Sequence, residues 1–204
     1  MGILKTGYIY PKEERPVRDL LRKRLQLVRH RSSHIISIKN ILARSLGMTM
    51  RSDEVKRLDE AHIKALFPEA HLFFAVNASA TTIKHFTYQI EHIEKMILEK
   101  VKLRKEFTGL IVLPGIGTIL GLTIMLEVGD IHRFKEVGNY ASYCRCVGSV
   151  HSSNGKKKGE GNRKNGNKYL SWAYVEAAQA ARRFYPAIEK YYQKMMAKPT
   201  GSWR

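Results

Sequence analysis

Two apolar stripes constrain this chain more than any other feature. In the first, Leu21, Leu25, Val28, Ile35, Ile38 and Leu42 recur at spacings of 3, 4 and 7. In the second, Ile83, Phe86, Ile90, Ile93, Ile97 and Val101 recur at spacings of 3 and 4. That period places each set on one face of an α-helix and excludes an alternating strand. Pro11 and Pro16 set off the first helix, expected from about Glu13 to Ala43, because proline suits a first turn and nothing later breaks the pattern. Gly47 ends it, and Ser52-Asp53-Glu54 opens a short helix by supplying a cap and negative charge. After Phe67-Pro68 the second long helix is expected from about Glu69 to Glu106. The stripes fit an antiparallel hairpin or a coiled coil with another chain, so a homo-oligomer (dimer or tetramer) through these helices is expected; a self-contained bundle fits them equally.

Charge narrows the partners. The 204 residues hold 36 Lys and Arg against 18 Asp and Glu, a formal net charge of +18. Nucleic acid is the leading partner on this ground, with an anionic membrane surface second. At 44% hydrophobic the chain can build a core, which excludes wholesale disorder. Two cysteines exclude a disulfide scaffold and fit a reducing cytoplasm. The start, Met1 to Thr6, has no secretory pattern. On the first helix Arg15, Arg18, Arg22, Lys23, Arg24, Arg29, Arg31 and Lys39 make either a solvated face or a phosphate-facing surface.

From Phe107 to Leu126 run 20 uncharged residues, long enough to span a bilayer. Pro114-Gly115-Ile116-Gly117 sits at the centre, however, where a break would strand backbone groups in lipid. Two short buried helices joined by a turn are therefore expected, and no membrane partner. Such a helix-hairpin-helix would let Gly115 and Gly117 bring backbone N–H groups to a phosphate. A tight turn serving packing alone is the competing reading.

Gly148 to Lys168 reads as a long polar loop with five glycines up to Gly166, leading into a helix from Tyr169 to Phe184. Its Lys156, Lys157, Lys158, Arg163, Lys164 and Lys168 would gather phosphates around Ser152 and Ser153. A serine hydroxyl among cations can attack a phosphodiester while the cations stabilise the developing charge. On chemistry alone a solvated loop fits better. His151 is the histidine placed to help proton transfer. Cys144-x-Cys146 reads as packing, since a single pair is a poor zinc signature. Asp53, Glu54, Asp59 and Glu60 read as caps and solvated faces, and no metal site is assigned.

Several motifs in order shift that weighting. The run Leu113-Pro-Gly-Ile-Gly-Thr118, then Glu127-Val-Gly-Asp-Ile-His-Arg-Phe134, then Tyr140-Ala-Ser-Tyr143, resembles the C-terminal domain of the insertion-sequence 110 transposases. Ser153-Asn-Gly-Lys-Lys-Lys-Gly-Glu-Gly161 and Lys164-Asn-Gly-Asn-Lys-Tyr-Leu170 continue the match, which in detail resembles the 1111 subgroup. The resemblance covers about residues 110 to 185; residues 8 to 106 resemble the family's helical linker more weakly, through Tyr10-Pro11 and the arginine-rich helix. It implies a DNA transposase or recombinase whose C-terminal serine attacks DNA, working with an N-terminal RuvC-like nuclease domain and an element-encoded guide RNA. By position Ser153 matches the family's serine best, with Ser152 one residue away as the fallback. The RuvC-like domain implies carboxylates holding divalent metal, Mg, ahead of the tyrosine-proline segment. Here ten residues precede Pro11, and none is acidic. No cofactor is expected in these residues themselves, and a truncated transposase copy, nucleoid-associated in a bacterial cytoplasm, is the expectation.

The fold expected is all-α: a long helical hairpin or coiled coil over residues 1–106, then a compact domain over 107–204 with the helix-hairpin-helix and the serine-bearing basic loop. The function expected is an insertion-sequence transposase with a serine nucleophile and incomplete catalytic capacity. The alternative is a non-catalytic helix-hairpin-helix protein that binds nucleic acid.

Overall fold

The computed structural model describes residues 7–101, 104–148, 150–160 and 165–197. The fold is all-α with one small β-hairpin. Its elements are α1 (Arg15–Leu46), α2 (Ser52–Arg57), α3 (Glu60–Leu66), α4 (Ala70–Val101), α5 (Lys105–Ile111), α6 (Thr118–Val128), α7 (Val137–Tyr143), β1 (Val150–Ser153), β2 (Lys156–Glu160), α8 (Lys168–Phe184) and α9 (Pro186–Met196). Contacts divide the chain into two units, residues 19–99 and residues 1–18 with 100–204. Residues 7–18 pack with the C-terminal unit.

In the 19–99 unit the stripes do what their period requires. Ile35, Ile38 and Leu42 of α1 and Val76, Ala80 and Ile83 of α4 enter one core with Val55, Leu58, Ile63 and Phe67 from the short helices and their junctions. Gly47 ends α1 as expected: its N–H bonds the Ala43 carbonyl and the Met48 N–H that of Leu42. Arg24 pairs with Glu94 at 2.6 Å, and Arg31 donates to the Thr87 hydroxyl at 3.2 Å. Residue numbers rise along α1 as their partners' numbers fall along α4, so the two helices run antiparallel. Asp59 caps α3 by accepting the His62 N–H at 2.8 Å, and Glu54 accepts the Arg51 N–H at 2.6 Å. Hydrogen bonds from His62 and from Lys56 hold the Asp59 and Asp53 carboxyls below the usual range.

The second long helix was expected to reach Glu106, but α4 ends at Val101 and α5 opens at Lys105. Its apolar period gives no stop signal there. The break is tertiary in origin: Arg104 is held in an extended conformation and pairs with Glu14 at 2.8 Å. Phe107 is then buried, and one edge of its ring lies beside Gly121.

The C-terminal unit is built on α6, which is apolar on every side and buried from Gly121 to Val128. A helix of that composition must be enclosed. It packs on α8 through Ile116, Ile124, Val128, Leu170, Ala173 and Ala177. The turn before α6 is where glycine is obligatory. Gly115 has φ +81°, and a Cβ there would lie 2.7 Å from the Ala181 nitrogen and closer still to the Ala177 carbonyl. No helix among the described residues is long and apolar enough to cross a membrane; the 107–126 run is divided between α5 and α6.

The segment before α1 is strapped to this unit. The Tyr10 hydroxyl donates to the Leu126 carbonyl at 2.7 Å, and Arg18 lies 3.9 Å over the Tyr10 ring. Arg15 donates to the Tyr10 carbonyl through both Nε and a terminal nitrogen. Burial, with Glu14 beside it, pushes the Tyr10 phenol well above its ordinary pKa.

Two outcomes are expected. Gly115→Ala should lower unfolding stability by at least about 2 kcal/mol, from strain plus the clash with α8. Urea denaturation reads this, and an unchanged midpoint would contradict the packing described. Cys144 is buried and its thiol is pushed up to about 11, by desolvation above all, whereas Cys146 is exposed. At pH 8 the Cys144 thiolate fraction is then on the order of one in a thousand. Iodoacetamide should label Cys146 of the native protein and spare Cys144 until the protein is unfolded; equal native labelling would contradict this.

Candidate nucleic-acid interface and serine hairpin

The expected polar loop from Gly148 to Lys168 contains regular structure. Residues 150–160 form an antiparallel hairpin pairing Ser153 with Lys156, Ser152 with Lys157, His151 with Gly159 and Val150 with Glu160. The cause is the dipeptide Asn154-Gly155, whose φ angles are +52° and +71°. Positive φ at both central residues is the two-residue turn that matches strand twist, and asparagine-glycine is its preferred sequence. That signal was present in the sequence, and the lysine-glycine composition hid it.

The register separates the two serines. Directly opposed residues share a face of a hairpin and successive residues alternate. Ser153 therefore shares its face with Lys156, at the turn, while Ser152 takes the opposite face with position 157. The pairing skips Lys158, a bulge that shifts register between His151 and Ser152. Ser152, Ser153, Lys156 and Lys158 are exposed. Lys168 opens α8, also exposed, with its ammonium 5.1 Å from the Tyr169 ring centre. Arg163 and Lys164 lie outside the described residues, as do the side chains of His151 and Lys157.

Three residues to which the sequence assigned no role meet around the start of α8. Asn167 is buried; its side-chain oxygen caps α8 by accepting the N–H groups of Tyr169 and Leu170 at 2.8 and 3.2 Å. Its side-chain amide donates to Glu127 at 2.7 Å, and its backbone N–H donates to the Tyr143 carbonyl at 2.6 Å. Glu127 is 3% exposed in the last turn of α6. Arg145 stands at φ +58° and donates to the carbonyls of Asn165 and Gly166 at 2.8 and 3.1 Å. An asparagine just before an apolar helical period is a cap signal. Its link to Glu127, 40 residues away, has no local signature.

The other candidate groups divide by role. Gly117 is the exposed N-cap of α6, with open space around it. Gly115, two residues earlier, is pressed against α8. Much of the α1 charge is engaged within the protein: Arg15 and Arg18 on Tyr10, Arg22 beside Asp19 at 3.9 Å, Arg24 on Glu94 and Arg31 on Thr87. Among the described residues no three His, Cys, Asp or Glu side chains are grouped to hold a metal ion.

Comparison with known proteins places this geometry in context. Residues 109–193 match the family described as Transposase IS116/IS110/IS902 family. The chain is 27% identical over 176 residues to the transposase for insertion sequence element IS1111A of Coxiella burnetii (strain RSA 493 / Nine Mile phase I). That alignment covers 84% of this chain and 48% of the relative, so the chain spans about half the relative's length. The end of α5, then α6, α7, the serine hairpin, α8 and most of α9 fall within the segment that matches the IS116/IS110/IS902 transposase family.

Proposed function

We propose that this protein acts on DNA as an insertion-sequence transposase, with Ser153 as the nucleophile. The observation that carries the reading is the placement of Ser153: exposed, at the turn of a hairpin within the matched domain, and cross-strand from Lys156. In this reading the Ser153 Oγ attacks a DNA phosphorus, an O–P bond forms to the protein, and a deoxyribose oxygen leaves. The hydroxyl proton passes to a base, for which His151, two residues back along β1, is the group to test. Lys156 stabilises the charge that builds on the phosphate. Lys157, Lys158, Arg163, Lys164 and Lys168 hold neighbouring phosphates, and the N–H groups opening α6 at Gly117 take another. Such contacts track the backbone and read no sequence.

Among the described residues no three His, Cys, Asp or Glu side chains are grouped to hold a divalent metal. The carboxylates that the resemblance implies would hold Mg belong to the N-terminal RuvC-like domain. A guide RNA and a dimer or tetramer through α1 and α4 belong to the same proposal. Helix-hairpin-helix binding without chemistry is the outcome that would replace it.

The test uses element-end DNA carrying a bridging phosphorothiolate, whose thiol leaving group cannot reverse the reaction. A covalent protein–DNA adduct is expected from the unmodified chain and is expected to vanish in Ser153→Ala. Binding without an adduct in any variant would replace the transposase reading with a non-catalytic one; an adduct lost only in Ser152→Ala would move the assignment by one residue. Separately, Lys156→Ala should reduce the slope of log affinity against log salt by about 1. An unchanged slope would remove Lys156 from the phosphate contacts.

A further inference from the structure

We propose that Glu127, Asn167 and Arg145 form a latch that ties together the two ends of the excursion carrying the serine hairpin and so limits the directions Ser153 can take. The proposal rests on the reading of Ser153 as nucleophile, and it makes these three positioning residues. A cap alone needs only the Asn167 side-chain oxygen. Here the amide nitrogen is also engaged, by a carboxylate that is itself buried, so the amide has a single orientation. Losing a donor to a buried carboxylate is costly, which favours the bond between Asn167 and Glu127.

Arg145 closes the other side. A non-glycine residue at positive φ is strained, and it persists where surrounding contacts fix it. The contacts are its two bonds to the carbonyls of Asn165 and Gly166, the residues that immediately precede the cap. The Asn167 N–H returns to Tyr143, two residues before Arg145. The points where the chain leaves α7 and enters α8 are thus tied to each other and, through Glu127, to α6. The turn end of the hairpin, from Ser152 to Lys156, is exposed, so burial does not fix its direction. In-line attack on phosphorus demands an aimed nucleophile, and these three side chains restrain the two chain ends from which the hairpin springs.

The test has a structural and a chemical arm. Spin labels at Lys156→Cys and Glu176→Cys, in a Cys146→Ser background, report the distance distribution between hairpin and α8. Asn167→Asp places two acids together, and Arg145→Gly keeps the backbone conformation while removing the clamp; each should broaden the distribution about twofold. Glu127→Gln combined with Asn167→Asp reverses donor and acceptor and should restore the narrow distribution. In unlabelled protein the two single variants should slow adduct formation at least about tenfold, with DNA affinity within about twofold, and the swap should recover the rate. Unchanged distributions in both single variants would overturn the latch. Broadened distributions with an unchanged adduct rate would overturn its positioning role. If the distributions follow the expected pattern but no protein forms an adduct, the latch stands and the nucleophile reading fails.

Discussion

The close packing of α6 on α8 is the contact on which the C-terminal unit depends. An apolar helix without a polar face cannot lie on a surface, so it has to be covered. The small residues Ala173, Ala177 and Ala181 on α8, with glycine at position 115, let the two backbones come together. That approach has a consequence for chemistry. Glu127 is the one charged residue of α6, and enclosing the helix buries it. Its partner, Asn167, is the residue that caps α8 and ends the serine-bearing excursion. The same packing that builds the core therefore fixes the cap at which α8 begins.

Charge is used in two distinct ways in this chain. The arginines of α1 are largely engaged with Tyr10, Asp19, Thr87 and Glu94, where their value is geometric. An arginine pairing at 2.6 Å with a partly covered glutamate joins two helices more than it attracts a distant phosphate. The lysines at the hairpin turn are exposed and lie beside a hydroxyl. A net charge of +18 thus overstates the surface available to nucleic acid on α1 and points to the 150–168 region as the better candidate.

What was legible in the sequence follows from the range of each interaction. The stripes of α1 and α4, the stop at Gly47 and the division of 107–126 at Pro114-Gly115 are written in neighbouring residues, and the structure has them. Local too was the asparagine-glycine turn, but composition outweighed dihedral preference and the segment read as loop. The break between Val101 and Lys105 depends on Arg104 meeting Glu14, 90 residues away in the chain. The strap of Tyr10 onto Leu126 spans 116 residues and the Glu127–Asn167 bond spans 40. Partnerships at such separations leave no periodic trace in one sequence, which is why the packing of residues 7–18 with the C-terminal unit was not legible there.

The central claim is that one hydroxyl at the hairpin turn becomes bonded to DNA. The most direct measurement is mass spectrometry of the trapped protein–DNA adduct after trypsin and nuclease digestion, with fragmentation of the peptide from Cys146 to Lys156. The expected result is a residual nucleotide on Ser153, the serine cross-strand from Lys156. A nucleotide on Ser152, on a residue outside this peptide, or on none would contradict the account.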